Sequence, residues 1–188
     1  MNRRNALRNI GILTGGIVLL PSCNFSEEKV SLVLNKLKIT DSQEELMREL
    51  VDTILPEGEI PGGKTLKVHD FVWIMADDCL EPAIQESYLQ GLSNFETNFK
   101  KLEGKTFLSS TQENRVKILE LIESSRENAS EKINGDLINF VEITKKFTIL
   151  GYMQSEYMMT EIMPYTLIPG TYGTCETIDT NKRININA

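Results

Sequence analysis

The chain has 188 residues, with 27 acidic against 20 basic side chains and a formal net charge of −7. That length suits one domain with a real core. The acidic balance lacks the electrostatic footprint of a nucleic-acid binder and would be repelled by anionic lipid surfaces.

Taken in chain order, the first element is a leader. Arg3, Arg4 and Arg8 precede the apolar run Ile10–Leu20, and no acid stands among them. The run is about half the length of a bilayer-spanning helix, so it predicts a signal peptide over residues 1–22 rather than a permanent span. Paired Arg3 and Arg4, with Leu7 and Arg8 behind them, resemble a twin-arginine export signal, although Asn2 and Ala6 depart from its usual residues. "LLPSC" then resembles a bacterial lipobox, with Pro21 unusual inside it, in which Cys23 is lipidated and becomes the mature N-terminus. The expectation is an exported, periplasmic lipoprotein anchored to a membrane through Cys23. Loss of residues 1–22 removes three arginines and no acid, leaving 17 basic against 27 acidic residues, a net charge of −10. Cys79 and Cys175 are the other cysteines; they could pair with each other, pair with a partner chain, or stay reduced.

Residues 23–40 read as a lipidated tether able to dock locally, and residues 41–188 as the domain. Thr40, Asp41 and Ser42, each with Gln or Glu three residues on, mark a helix start. Leu46, Met47, Leu50, Val51 and Ile54 share its apolar face, and Pro56 stops it. After "PEGEIPGG", a loop by composition, Val68, Phe71, Val72, Met75 and Cys79 form a second stripe. Pro82 opens a long helix with Ile84, Tyr88, Leu92, Phe95, Phe99 and Leu102 facing inward. A Ser110–Glu113 capping box starts the next, which buries Val116, Leu119 and Ile122. The last segment runs from about Asp136 to Met163, with Leu137, Phe140, Val141, Thr144, Phe147 and Thr148 inward, before a non-helical C-terminal tail. No stretch alternates with period two for long enough to make a strand. The class is all-α, a single compact domain of about five helices.

"GEIPGGKT", residues 58–65, fits G-x-x-x-x-G-K-[ST], with Lys64 and Thr65 where a phosphate loop has its lysine and its Mg²⁺-binding hydroxyl. A working loop follows a buried strand and needs an aspartate ending a second apolar strand. Here a helix and a proline turn precede Gly58, Glu59 would set a negative charge beside the phosphates, and nucleotides are scarce outside the cytoplasm. The match is a decoy.

The remaining chemistry is sparse. His69, the only histidine, sits beside Asp70 in a first helical turn and about a turn or more from Asp77 and Asp78, too far for a compact metal cluster. Haem-attachment and dinucleotide motifs are missing. Met153, Met158, Met159 and Met163 suit helix packing and partner-facing surfaces better than a Cu(I) site. No catalytic, cofactor-binding or metal-binding residue is assigned.

Two blocks carry a resemblance. Residues 52–79, "DTILPEGEIPGGKTLKVHDFVWIMADDC", combine a helix end, a proline–glycine loop and Val68-His69-Asp70-Phe71 opening a helix. Residues 147–175, "FTILGYMQSEYMMTEIMPYTLIPGTYGTC", carry Gly151-Tyr152, Ser155-Glu156 and a terminal Pro169-Gly170, Tyr172 and Cys175. With the export signal they resemble subunit 3, the small or gamma subunit, of gluconate 2-dehydrogenase complexes. The resemblance implies a non-catalytic accessory subunit. Its partner would be a large flavoprotein of the glucose–methanol–choline oxidoreductase type, which holds FAD and oxidises a sugar or sugar acid. A c-type cytochrome carrying haem c often takes the electrons in such complexes. The small subunit would support maturation of the flavoprotein and carry the signal that exports the folded pair. By the same resemblance Pro169, Gly170, Tyr172 and Cys175 are expected in a partner-facing loop. A stand-alone lipoprotein binding module with no oxidoreductase partner is the alternative.

Overall fold

The computed structural model describes residues 34–126 and 133–163. Its elements are α1 (Asp41–Ile54), α2 (Val68–Asp78), α3 (Pro82–Glu103), α4 (Gln112–Ser124), α5 (Gly135–Met153) and a π-helical turn (Met158–Ile162). No strand occurs among the described residues, and the domain is all-α as its periodicities require. None of these helices is long and apolar enough to cross a membrane. The leader, Cys23 and the C-terminal tail lie outside the described residues.

Capping explains most helix ends. The Thr40 side chain accepts from the Gln43 backbone N–H, while the Gln43 side chain accepts from the Thr40 N–H, a complete capping box for α1. Pro82 occupies the first turn of α3, and Gly104 closes that helix in the left-handed region at φ 87°. One expected cap is displaced: α4 is capped by Thr111, which accepts from the Asn114 N–H, not by Ser110. The Ser110 hydroxyl instead donates to the Thr106 carbonyl, in the turn leading into the helix.

The last helix is shorter than its sequence suggests. Ser155 donates its hydroxyl to the Tyr152 carbonyl at 2.7 Å and accepts from the Met158 N–H, so it closes α5 and seeds the π-helical turn. A hydroxyl offering the backbone a local alternative is the general way serine ends helices.

The centre of the domain is α3 laid along α5. Gly91 makes that approach, since a Cβ there would lie 2.2 Å from the Asp136 carbonyl oxygen and 2.5 Å from Phe140 Cβ. Polar bonds flank the seam: Ser87 donates to Asp136 at 2.6 Å, and the buried Tyr88 and Thr144 hydroxyls meet at 3.2 Å. Phe95, Phe99, Phe107, Phe140 and Tyr88 form one aromatic cluster with ring centroids 5.1–5.9 Å apart. Phe107 comes from the α3–α4 loop and plugs the end of the core. Trp73 on α2 is fully buried as well.

Several expected core residues sit outside. Cys79, Ile84, Leu102 and Val116 are exposed, and Ile54, Phe71 and Met75 are only half-buried. Ile84, Leu102 and Val116 lie at the margins of their stripes, whereas Ile54 ends α1 and Cys79 falls just past the end of α2. Leu46, Met47, Leu50 and Val51 on α1 are buried as expected, as is the inward set on α5.

Candidate functional site

Two places can be built from the residues upward: the glycine loop and an apolar cleft. The loop between α1 and α2 is folded onto its own side chains. Lys64 pairs with Glu49 of α1, and the Thr65 hydroxyl donates to Glu57 at 2.6 Å. Glu57 also accepts from the Gly62 backbone N–H at 2.9 Å. The lysine, the hydroxyl and one amide that a phosphate would need are therefore engaged by carboxylates. The glycines serve packing: a Cβ on Gly62 would meet the backbone of Leu55–Glu57 within 2.9 Å, and one on Gly63 would lie 2.7 Å from Val51 Cγ1. The Tyr152 hydroxyl, donating to the Pro61 carbonyl at 2.8 Å, ties the loop to α5.

Glu49 also accepts from Arg115 of α4 at 2.9 Å. The Lys64 hydrogen bond, followed by that of Arg115, holds the Glu49 carboxyl below the usual carboxylate range against the opposing pull of burial. Glu49 in turn raises the Lys64 ammonium above its ordinary value. Arg115 spends the rest of its guanidinium on the Phe107 and Leu108 carbonyls and lies over the Phe107 ring, 4.8 Å from the centroid.

The cleft, of about 470 Å³, opens between the end of α1, α4 and α5. Ile54, Pro56, Val116, Leu119 and Val141 supply its apolar walls. Its polar groups are mostly committed elsewhere: the Gln112 amide donates to the Thr53 carbonyl at 3.0 Å, Thr53 donates to the Glu49 carbonyl, and Lys145 pairs with Glu123 at 2.7 Å. Val141 and Lys145 belong to an i, i+4 row that continues along α5 to Ile149 and Met153, 46% and 40% exposed. A surface of this kind suits the side chains of a packed partner better than a polar substrate, which needs convergent free donors and acceptors.

His69 is buried at the start of α2, 3.5 Å from Asp70 across Nε2, and its Nδ1 has no hydrogen-bond partner among the described residues. Burial lowers its pKa, with Arg48 adding to that effect and Asp70 opposing it. The sequence predicts a polar first-turn residue; the fold buries it, with Arg48 and Glu44 of α1 near enough to act on its charge. Asp77 is buried and receives the chain preceding α1, whereas Asp78 and Cys79 are exposed. The Cys79 thiol is free among the described residues. No group of three or more His, Cys, Asp or Glu side chains among them could hold a metal ion. Arg3, Arg4, Cys23, Pro169, Gly170, Tyr172 and Cys175 lie outside the described residues, so geometry neither gathers nor separates them.

Nothing in the sequence marks Arg115 and Glu49 as partners, and Ile54, Val116, Leu119 and Val141 read there as core residues rather than as the walls of a cleft. Val116, expected in the core with Leu119 and Ile122, instead lines the cleft and is 36% exposed.

Fold and surface together define a small helical domain with an apolar cleft between α1, α4 and α5. The family model of gluconate 2-dehydrogenase subunit 3 matches residues 41–170, from the first residue of α1 to beyond the π-helical turn. The chain belongs to the gluconate 2-dehydrogenase subunit 3 family, and so to the subunits of a dehydrogenase complex. Neither a curated protein nor a solved structure matches it.

Proposed function

We propose that this chain is the non-catalytic small subunit of a membrane-associated, flavin-dependent dehydrogenase of sugars or sugar acids. In this reading FAD resides in a large flavoprotein of the glucose–methanol–choline oxidoreductase type, and haem c in a cytochrome subunit where one is present. The small subunit assists maturation of the flavoprotein, carries it folded through export by Arg3 and Arg4, and tethers it through lipidated Cys23 on the periplasmic side. Membership of the family over residues 41–170 is the observation that carries the proposal. The cleft supports it, because the residues around it present apolar surface while most of their polar groups are already paired. The tail with Pro169, Gly170, Tyr172 and Cys175 is proposed as a second contact, its tyrosine offering a large ring with a polar tip.

Co-expression with the flavoprotein, followed by pull-down and sugar oxidation with an artificial electron acceptor, tests this. Together the chains should form a stable complex; the small chain alone should show no oxidation, flavin absorbance or haem Soret band. Sugar oxidation by the small chain alone, or full maturation and export of the flavoprotein without it, overturns the proposal. Mass spectrometry should find an acyl group on Cys23, lost in Cys23→Ser, and replacing Arg3 and Arg4 by lysine should block export.

A further inference from the structure

The chain just before α1 is not loose. Asn35, Lys36 and Leu37 donate three successive backbone N–H groups to the carboxylate of Asp77, at 2.7, 2.9 and 2.7 Å. Lys36 Nζ reaches the Asp77 carbonyl at 3.1 Å, Asn35 Nδ2 approaches Asp78 at 3.4 Å, and the Leu37 side chain is buried in the core. The acceptor is unusual. Asp77 is 1% exposed, and a buried carboxylate is costly unless its charge is met by donors. Burial pulls its pKa up, yet the three amides outweigh that and leave it below the ordinary value. Helix packing does not call for an acid near the end of α2, where the macrodipole disfavours negative charge. Its partners lie more than forty positions away in the sequence, save for Leu37 at forty.

We infer that Asp77 is a latch which seats residues 34–39 on the domain and fixes the point where the N-terminal anchor segment leaves it. Resting on the proposed lipidation of Cys23, the latch shortens the leash. The first fixed point is then Asn35, twelve positions from Cys23, rather than Thr40, seventeen positions away, a reach of about 40 Å instead of about 60 Å when fully extended. The latch also sets Asn35 at the corner of α2 and α3, where Gln85 of α3 donates to the Ala76 and Asp77 carbonyls. None of the latch residues lines the apolar cleft between α1, α4 and α5, so a tethered domain keeps that face for a partner.

Lys36 and Lys38 lie inside the latched segment, and trypsin needs an unfolded stretch to cut after them. Limited trypsin digestion of the full chain, read by mass spectrometry, therefore reports the latch directly. The wild-type domain should retain residues 30–39 whether or not the chain is cut after Lys29. Asp77→Ala should yield domains beginning at Leu37 or Ile39, with cutting there at least about tenfold faster. Asn35→Pro removes the backbone donor to Asp77 and the side-chain amide near Asp78 without altering a helix, and should act in the same direction, which guards against a folding defect in the first variant. Hydrogen exchange at the Lys36 and Leu37 amides should be faster in both variants than in wild type. Equal cutting after Lys36 in wild type and both variants overturns the latch. Absence of an acyl group at Cys23 removes the leash and the anchoring proposal but leaves the digestion result standing, so the two failures are distinct.

Discussion

Glu49 and Arg115 are 66 residues apart in the chain and 2.9 Å apart in space. Through that pair α1 grips α4, and because Glu49 also holds Lys64, the same carboxylate fixes the glycine loop. The arginine side chain is only 10% exposed, with two carbonyls and an aromatic ring as its other partners. Arg115→Ala should therefore cost about 3 kcal/mol, since it strands buried acceptors as well as breaking an ion pair. Lys64→Ala, at a more exposed pair, should cost less than about 1 kcal/mol. Denaturant unfolding of the two variants checks the order; a larger loss at Lys64 than at Arg115 contradicts it. The unsubstituted protein should bind neither Mg·ATP nor Mg·GTP by calorimetry, because Lys64 and Thr65 are engaged by Glu49 and Glu57.

Gly91 tests the α3–α5 seam. Its missing side chain admits the Asp136 carbonyl and Phe140, so Gly91→Ala should force the helices apart and lose about 1–3 kcal/mol. On helix propensity alone the same change would stabilise by about 1 kcal/mol. The sign of the shift in melting temperature separates packing from propensity.

Acid should weaken the fold in two stages, and the signs agree. His69 has a folded pKa below its ordinary 6.5, so the unfolded chain takes up its proton first and stability falls as pH drops below that value. Glu49 and Asp77 have folded pKa values below their ordinary 4.5 and 3.8. Their contribution is complete above the ordinary range and is lost as pH falls through it toward the lowered folded values. Unfolding midpoints measured from pH 7 to pH 3 should show both stages. The His69→Leu variant should lack the upper one, and its persistence there would assign that stage to another group.

The cleft wall on α4 and the row that continues from it along α5 predict a separation of binding from stability. Val116→Asp and Ile149→Asp change exposed positions and should alter stability by no more than about 0.5 kcal/mol. Both should weaken capture of the proposed flavoprotein partner at least about tenfold if the cleft is the docking face. Truncation after Met163 should likewise weaken the complex more than it destabilises the helices. Unchanged capture by both aspartate variants places the contact elsewhere on the chain.

Much of the fold was legible in one dimension because helices are local objects. Thr40 and Gln43 announce α1, Pro82 announces α3, and the three- and four-residue spacing of Tyr88, Leu92, Phe95 and Phe99 names a buried face without any partner in view. The two sequence blocks likewise sufficed to point to the family. Tertiary structure alone decided which side of each stripe won: Val116 and Ile84 faced solvent, while Trp73 and Ile118 went inward. Burial depends on which helix lies opposite, and that is set by contacts such as Gly91 against Asp136 that no periodicity encodes. The same reason hid the polar network. Glu49 looked like one surface acid among many, and Asp77 like one of a pair, until folding brought Arg115 and the backbone of residues 35–37 to them. The loop that spells a phosphate-binding motif shows the limit most plainly. Its letters are set by sequence, but whether Lys64 and Thr65 are free depends on Glu49 and Glu57, and only the folded chain brings those carboxylates within reach.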